Sequence, residues 1–112
     1  MIMTDGLDRG CQIACEALNQ ELCLSVQEKA RTRTIEVHAV GRFKDGGYCI
    51  YGFQTHSTDA GRTARWCTIR LDLTREFRLS VFNSQAPRPD FQLDRFRVKD
   101  VLLVARAQEA SA

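Results

Sequence analysis

Residues 35–54 read IEVHAVGRFKDGGYCIYGFQ, and this stretch carries the strongest structural signal in the sequence. Apolar residues stand at every second position from Ile35 to Ala39, which is the period of a half-buried β-strand. Residues 45–47 are Asp-Gly-Gly, which accept the positive φ angles of a hairpin turn. The return run, residues 48–54, is aromatic and β-branched, as strands prefer. The stretch therefore predicts a β-hairpin.

The segments around this hairpin predict one helix and further strands. Apolar residues spaced by three and four from Leu7 onwards predict an amphipathic helix. Three more segments predict strands, namely residues 22–26, 66–73 and 98–104. Residues 74–82 alternate weakly, which predicts a short strand or an irregular sheet edge. Residues 83–94 hold both prolines and predict a rigid surface connection.

This order of elements predicts a mainly β domain of the α+β class. One N-terminal helix followed by a strongly bent, five-stranded antiparallel sheet is typical of a partly open, Sm-like small barrel. A chain of 112 residues has the length of one domain. We expect that domain over residues 7–105, with flexible termini at residues 1–6 and 106–112.

Composition points to a soluble protein of the cytoplasm. No run approaches the ~18 apolar residues that span a bilayer, and the N-terminus lacks the pattern of a secretion signal. The five cysteines are an odd number and predict thiols in a reducing compartment. The net charge of +2 and pI near 8.4 are mildly basic, below the pI of about 9 that marks dedicated nucleic-acid binders.

The kind of basic residue is more unusual than the net charge. Of sixteen basic residues, thirteen are arginine and three are lysine. The planar guanidinium suits phosphate, carboxylate and base recognition better than the lysine ammonium does. A GC-rich coding genome is the alternative explanation, since it raises arginine content throughout a proteome.

Four segments occur in an order that points to a family. Residues 36–41 read EVHAVG, residues 51–54 read YGFQ, residues 66–72 read WCTIRLD and residues 87–91 read PRPDF. In this order they resemble a branch of the WYL domains, which are Sm-like small barrels found in many bacterial transcription regulators. At the G-x-W-Y-L position of that family, residues 47–50 read GYCI and match only in the aromatic start and the aliphatic end.

The resemblance covers roughly residues 7–105. WYL domains usually follow a winged-helix DNA-binding domain, and no such domain occurs in these 112 residues. The resemblance therefore implies a stand-alone regulatory domain. Such a domain would bind a nucleic-acid segment, a nucleotide-like ligand or a protein partner through arginines on the barrel.

Three residues of the hairpin and of the strand expected beside it are candidate ligand contacts. His38 could contact phosphate or act as a base, and the alternative is a structural histidine with hydrogen bonds inside the barrel. Arg42 and Arg70 are expected on neighbouring strands, where both could point into one ligand groove. The alternative for these two arginines is a solvated strand face.

Three further residues complete the candidate site. Arg88 stands between two prolines, whose stiff backbone would present its guanidinium at low entropic cost. Its alternative is an internal ion pair with Asp90 or Asp94. Trp66 and Tyr48 could each stack on a base, and their alternative is packing in the core.

No catalytic or metal-binding motif supports an enzyme. Cys11 and Cys15 lie one helical turn apart, but zinc takes four ligands and no second pair follows, so core packing is expected. We therefore predict a non-enzymatic binding domain, without metal or cofactor, for nucleic acid or a nucleotide-like anion. The alternative is a protein-interaction module, either a homodimer or a partner-binding subunit.

Overall fold

The structure is a computed structural model, and it describes residues 6–58, 64–72 and 75–106. The elements in chain order are α1 Gly6–Gln20, β1 Leu22–Glu28, β2 Arg31–Arg42, β3 Tyr48–Ser57, β4 Arg65–Arg70, β5 Glu76–Asn83 and β6 Asp100–Val104. The mainly β class with one leading helix is confirmed. The expected number of five strands is wrong, because the weakly alternating segment near residues 74–82 contributes a full eight-residue strand, β5.

The expected flexible termini lie almost entirely outside the described residues. Gly6 is the exception at the start, since it belongs to helix α1. Within the described part of the chain, no helix is long and apolar enough to cross a membrane.

All strand pairs in the sheet are antiparallel, and β2 is the strand that organises them. The order across the sheet is β4-β3-β2-β1-β5, and β6 pairs with β2 as well. On one side β2 pairs with β3 along most of its length, and on the other it pairs first with β1 and then with β6. Among the described residues β4 and β5 do not pair with each other, so the sheet is open.

A β-bulge interrupts β2 at His38. Val37 lies opposite Gly52 of β3, whereas Ala39 lies opposite Tyr51, so His38 is an extra residue in β2. The bulge reverses the alternation of side chains. Val37 consequently packs on the helix side of the sheet and Ala39 on the other side. The expectation that these two residues share a face is wrong for this reason.

Two clusters of buried side chains cover the two faces of β2. On one face, the helix-side core packs α1 against the sheet, and Ala14 and Ala17 of α1 are fully buried in it. On the other face lies the aromatic cluster, formed by Tyr51, Trp66, Phe91 and Phe96 around Ala39 and Cys49. The connection between β5 and β6 supplies two of these rings. Residues 35–41 are therefore all buried, although the sequence pattern predicts a strand buried on only one face.

The predicted hairpin turn is confirmed between β2 and β3. Gly46 adopts a φ of 90°, a value that glycine accepts without strain. The Phe43 N–H donates to the Gly47 carbonyl at 2.8 Å, and the Gly47 N–H donates to Asp45 Oδ1 at 2.9 Å. This tight turn fixes the position of the side chains around it, which line the candidate site described below.

Candidate functional site

The six residues predicted as ligand contacts lie in three separate surroundings. His38, Trp66 and Arg88 meet beside the aromatic cluster. Arg42 and Tyr48 form a second group, on the helix side of the sheet. Arg70 lies apart from both groups, next to the hairpin turn.

The prediction that Arg42 and Arg70 line one groove is wrong. Their strands are not neighbours, because β3 lies between β2 and β4. Arg42 is paired opposite Tyr48, and Arg70 opposite Cys49. Directly opposite residues share a face of a sheet, whereas consecutive residues face opposite sides. Arg42 and Arg70 therefore point to opposite faces.

Arg42 makes weak surface contacts on the helix side. Its Nη2 lies 3.7 Å from Asp100 Oδ2, and its guanidinium carbon lies 5.8 Å from the centre of the Tyr48 ring. Both charged side chains are 42% exposed. An ion pair this exposed contributes at most about 1 kcal/mol to stability. This arrangement matches the solvated strand face that was the alternative for Arg42.

Arg88 forms an internal ion pair whose partner is not one of the two carboxylates expected. Its Nε donates to Glu36 Oε1 at 2.5 Å and its Nη2 to Glu36 Oε2 at 3.2 Å. Glu36 is buried and also accepts a hydrogen bond from the Gln85 N–H at 3.0 Å. The guanidinium carbon lies 4.2 Å from the centre of the Phe53 ring. Arg88 thus anchors the proline-rich connection to β2.

His38 is fully buried, and both of its ring nitrogens have partners. Nδ1 lies 2.9 Å from the Glu36 carbonyl oxygen, and Nε2 lies 3.0 Å from the Arg88 backbone nitrogen. A carbonyl only accepts and an amide N–H only donates, so the ring is neutral with its proton on Nδ1. Burial lowers the pKa of His38 below its usual value. These contacts correspond to the structural alternative for His38.

We expect His38 to make the protein less stable in mild acid. In the unfolded chain the imidazole binds a proton near pH ~6.5, whereas the folded protein resists protonation until a lower pH. The unfolded state therefore binds more protons, and the free energy of unfolding should fall as pH drops below about 6.5. Urea denaturation at a series of pH values measures this slope.

Two variants separate His38 from other groups. His38→Gln should lose the slope between about pH 6.5 and 5, while His56→Gln, which removes an exposed imidazole, should retain it. An unchanged slope in His38→Gln would contradict the assignment. Loss of stability at still lower pH comes from carboxylates whose pKa values are lowered in the folded protein, and Glu28 is one of them. Burial opposes ionisation there, but hydrogen bonds from Arg75 and Arg31 lower the pKa of Glu28 to about 2.

Trp66 is half-buried within the aromatic cluster. Its ring stacks on Tyr51 and Phe91, with centroids 5.3 and 6.0 Å away, and meets His38 edge-on at 4.7 Å. The indole Nε1–H donates to Asp90 Oδ2 at 3.1 Å. Because its ring packs against several neighbouring aromatic rings and its N–H is bonded to Asp90, Trp66 occupies a packing position.

A groove beside the hairpin turn gathers positive charge. This hairpin groove is open and has a volume of about 980 Å³. Its apolar floor is formed by Phe43 and Val98, which also pack against the aromatic cluster. Two carboxylates, Asp45 and Asp94, lie at its wall. The cations that line it are Lys44, Arg70, Arg97 and Lys99.

Arg70 is the only predicted site residue that lines this groove. Its Nη2 donates to Asp45 Oδ2 at 2.9 Å, and its guanidinium carbon lies 4.7 Å from the centre of the Phe43 ring. Hydrogen bonds from the Gly47 N–H and from Arg70 lower the pKa of Asp45. The carboxylate therefore stays ionised and holds the guanidinium over the ring.

The other three cations of the hairpin groove have no carboxylate partner within the described ranges 6–58, 64–72 and 75–106. No ion pair involves Lys44, Arg97 or Lys99 there. The groove thus carries more positive than negative charge, most of it available to an incoming anion. The sequence does hold one signal for it, since residues 95, 97 and 99 are basic at alternate positions.

A second, smaller cavity of about 330 Å³ lies between α1 and β5. Its cations include Arg75 and Arg78, which are paired with Glu28 at 2.5 Å and with Glu76 at 3.8 Å. Two carboxylates, Asp72 and Glu76, line this cavity beside three cations, and Arg75 is already held by Glu28, so the cavity has less unpaired positive charge than the hairpin groove.

The cysteines and acidic residues add no metal site among the residues that the structure describes. No group of three or more His, Cys, Asp or Glu side chains is placed there to hold an ion. Cys11 and Cys15 pack against the helix-side core, as predicted. Comparison of the chain with protein-family models, with curated proteins and with solved structures finds no match.

Proposed function

We propose that this chain is a non-enzymatic regulatory binding domain that recognises nucleic acid or a nucleotide-like anion in the hairpin groove. The observation that carries the proposal is the set of four cationic side chains around an apolar floor. Phosphate oxygens accept hydrogen bonds from guanidinium and ammonium groups, and both kinds of group are present. Three of these cations have no carboxylate partner in the described part of the chain.

The floor of the groove suits the other half of such a ligand. Phe43 and Val98 present an apolar surface, and the Arg70 guanidinium carbon is close enough to the Phe43 ring, at 4.7 Å from its centre, for a cation–π contact. Stacking of a base on an aromatic or guanidinium plane contributes about 1–3 kcal/mol in single-strand binders. The proposed contacts are therefore Arg70, retained from the sequence prediction, with Phe43, Lys44, Arg97 and Lys99.

Membership of the WYL-like class, with an Sm-like barrel, is part of the same proposal. In its support, a leading helix precedes a sheet whose central strand β2 pairs with β1 at one end and β6 at the other. A strand that changes partners along its length is a feature of strongly bent sheets. We further propose the cytoplasm as the compartment, since all five cysteines are thiols.

Binding of a labelled oligonucleotide tests the groove. We expect a fluorescein-labelled 12-nucleotide single strand to bind at low salt, with anisotropy as the readout. Arg70→Ala and Arg97→Ala should each weaken binding roughly tenfold, a loss of about 1.4 kcal/mol. The logarithm of affinity should fall with the logarithm of salt concentration by about 0.7 per phosphate contact.

Arg42→Ala is the matched control. Arg42 and Arg70 have similar side-chain exposure, 42% and 39%, and each contacts one carboxylate and one aromatic ring. They differ in the face of the sheet that they occupy, so Arg42→Ala should bind like the unsubstituted protein. Absence of binding at low salt, or an equal loss in Arg42→Ala, would overturn the proposal. Competition by ATP and by inorganic phosphate separates nucleotide recognition from general anion binding.

A further inference from the structure

Two cysteine thiols lie side by side on helix α1. Cys11 and Cys15 are four residues apart, and side chains at this spacing are neighbours on one face of a helix. The Cys11 S–H donates a hydrogen bond to the Cys15 sulfur, so the two sulfur atoms are in contact. The pair is a cluster of two nucleophilic groups on the helix, away from the hairpin groove.

Both thiols stand where the buried stripe of the helix meets its exposed face. Gly10, Ala14 and Ala17 are buried against the sheet, whereas the residues on the opposite face of α1 are exposed. Cys11 and Cys15 are half-buried, and each packs against the helix-side core with only part of its surface. A small reagent in solution can therefore reach this pair without unfolding the protein.

We propose that Cys15 is a site of S-thiolation, at which the thiol exchanges with a small disulfide of the glutathione type, and that Cys11 is the positioning residue that activates it. The Cys15 thiolate attacks one sulfur of the small disulfide. A new S–S bond forms to Cys15, the original S–S bond breaks, and its second half leaves as a thiolate that takes up the proton lost by Cys15. The small disulfide is itself the oxidant. This proposal is independent of the hairpin groove.

The hydrogen bond from Cys11 makes Cys15 the favoured nucleophile. An S–H group that donates to a sulfur stabilises its thiolate form. This hydrogen bond lowers the pKa of Cys15 to about 7, although burial acts in the opposite direction. The thiolate is the attacking species, and the most effective attacking thiol has a pKa near the ambient pH. Cys15 is therefore matched to thiol–disulfide exchange at neutral pH.

The three cysteines of the strands lack these properties. Cys23 and Cys49 are 2% and 0% exposed, and burial raises the pKa of each to about 11. Cys67 is half-buried, and burial raises its pKa as well. Thiols with raised pKa values stay protonated at neutral pH and react slowly. These residues serve as slow internal comparisons within the same chain.

The geometry of the helix favours a mixed disulfide over an internal one. A disulfide needs Cβ atoms about 3.5–4.5 Å apart. In a helix, residues four apart have Cβ atoms about 5–6 Å apart. Attack of Cys11 on the modified Cys15 would therefore require α1 to unwind around the pair, while Ala14 and Ala17 hold this part of the helix in the core. We expect the mixed disulfide at Cys15 to persist.

Reaction of the full chain with oxidised glutathione tests the site. At neutral pH, intact-mass spectrometry should show the gain of one glutathionyl group, and dithiothreitol should remove it. Peptide mapping without reduction should place the group on Cys15. The other four cysteines should react at least about tenfold more slowly. In Cys15→Ser this fast modification should be lost.

Two variants of Cys11 separate activation from a purely structural role. Cys11→Ala removes the donor and should slow the modification of Cys15 roughly tenfold. Cys11→Ser supplies a hydroxyl donor of similar size and should restore most of the rate. Faster modification of a cysteine other than Cys15 would overturn the proposal, as would equal rates in Cys11→Ala and the unsubstituted protein. Accumulation of a Cys11–Cys15 disulfide in place of the mixed disulfide would also overturn it.

Discussion

Replacing Arg88 with alanine is expected to lower the free energy of unfolding by about 3 kcal/mol, near the lower end of the range for breaking a buried ion pair. The loss arises from Glu36, which is buried and would keep only the Gln85 N–H of its observed hydrogen-bond donors. Arg88 itself is partly exposed, which places the effect at that lower end. Urea denaturation at neutral pH measures it, and the melting temperature should fall by roughly 10–20 °C.

Arg42→Ala controls for loss of an arginine as such. Both side chains of the Arg42–Asp100 ion pair are exposed, so we expect the free energy of unfolding to change by less than about 1 kcal/mol. A double-mutant cycle with Glu36→Gln isolates the pairwise contribution, because the second substitution removes the carboxylate charge that Arg88 balances. If Arg88→Ala were as stable as Arg42→Ala, the Glu36 carboxylate would have to be solvated without Arg88. That result would contradict the assignment of Arg88 and Glu36 as a buried ion pair.

Replacing Gly52 with alanine is expected to destabilise the protein by about 2–3 kcal/mol through overpacking. Gly52 lies in β3 beside the bulge of β2. An added Cβ would collide with the Glu36 carbonyl oxygen and lie 2.7 Å from Ile35 Cγ2. Both obstacles belong to the central strand, which is packed on both faces and has little freedom to move.

Gly10→Ala is the corresponding control in the helix. Its added Cβ would lie 3.3 Å from Phe77 Cδ2, a tight contact that a small shift of the ring relieves. Alanine is favoured over glycine in a helix by about 1 kcal/mol, which offsets that contact. We expect a net change within about 1 kcal/mol. Equal stability of Gly52→Ala and the unsubstituted protein in urea would show that β2 and β3 can separate locally.

The sequence predicts those features that depend on neighbouring residues. The hairpin follows from apolar alternation after Ile35 and from glycine in the turn, and Gly46 does adopt a positive φ. The helix follows from its spacing of three and four. Each of these signals is contained within one element and its turn, so pairing elsewhere does not alter it.

Features that depend on register are not contained in any one segment. The bulge at His38 exists only relative to Gly52 and Tyr51, and it changes the face of every later residue in β2. A one-residue difference decides that Arg42 and Arg70 face opposite sides. A sequence pattern therefore identifies Arg42 and Arg70 as strand residues but does not show whether they lie on the same face of the sheet.

Ion pairs between segments that are distant in sequence are equally difficult to predict. Arg88 meets Glu36 across 52 residues, while Asp90 and Asp94, which are near in sequence, are not its partners. Only the path of the proline-rich connection across β2 brings the two charges together. The hairpin groove is partly predictable from sequence. Basic residues stand at alternate positions from 95 to 99, but the sequence does not show that they lie beside the hairpin turn.

The position of β2 between two buried clusters also governs how the molecule comes apart. One strand supplies Val37 to the helix-side core and Ala39 to the aromatic cluster, and it bonds to three other strands. Loss of either cluster would strip this strand of half its packing and expose its backbone. The two halves of the fold should therefore melt together in a single cooperative transition, with the amide protons of β2 among the slowest to exchange with solvent.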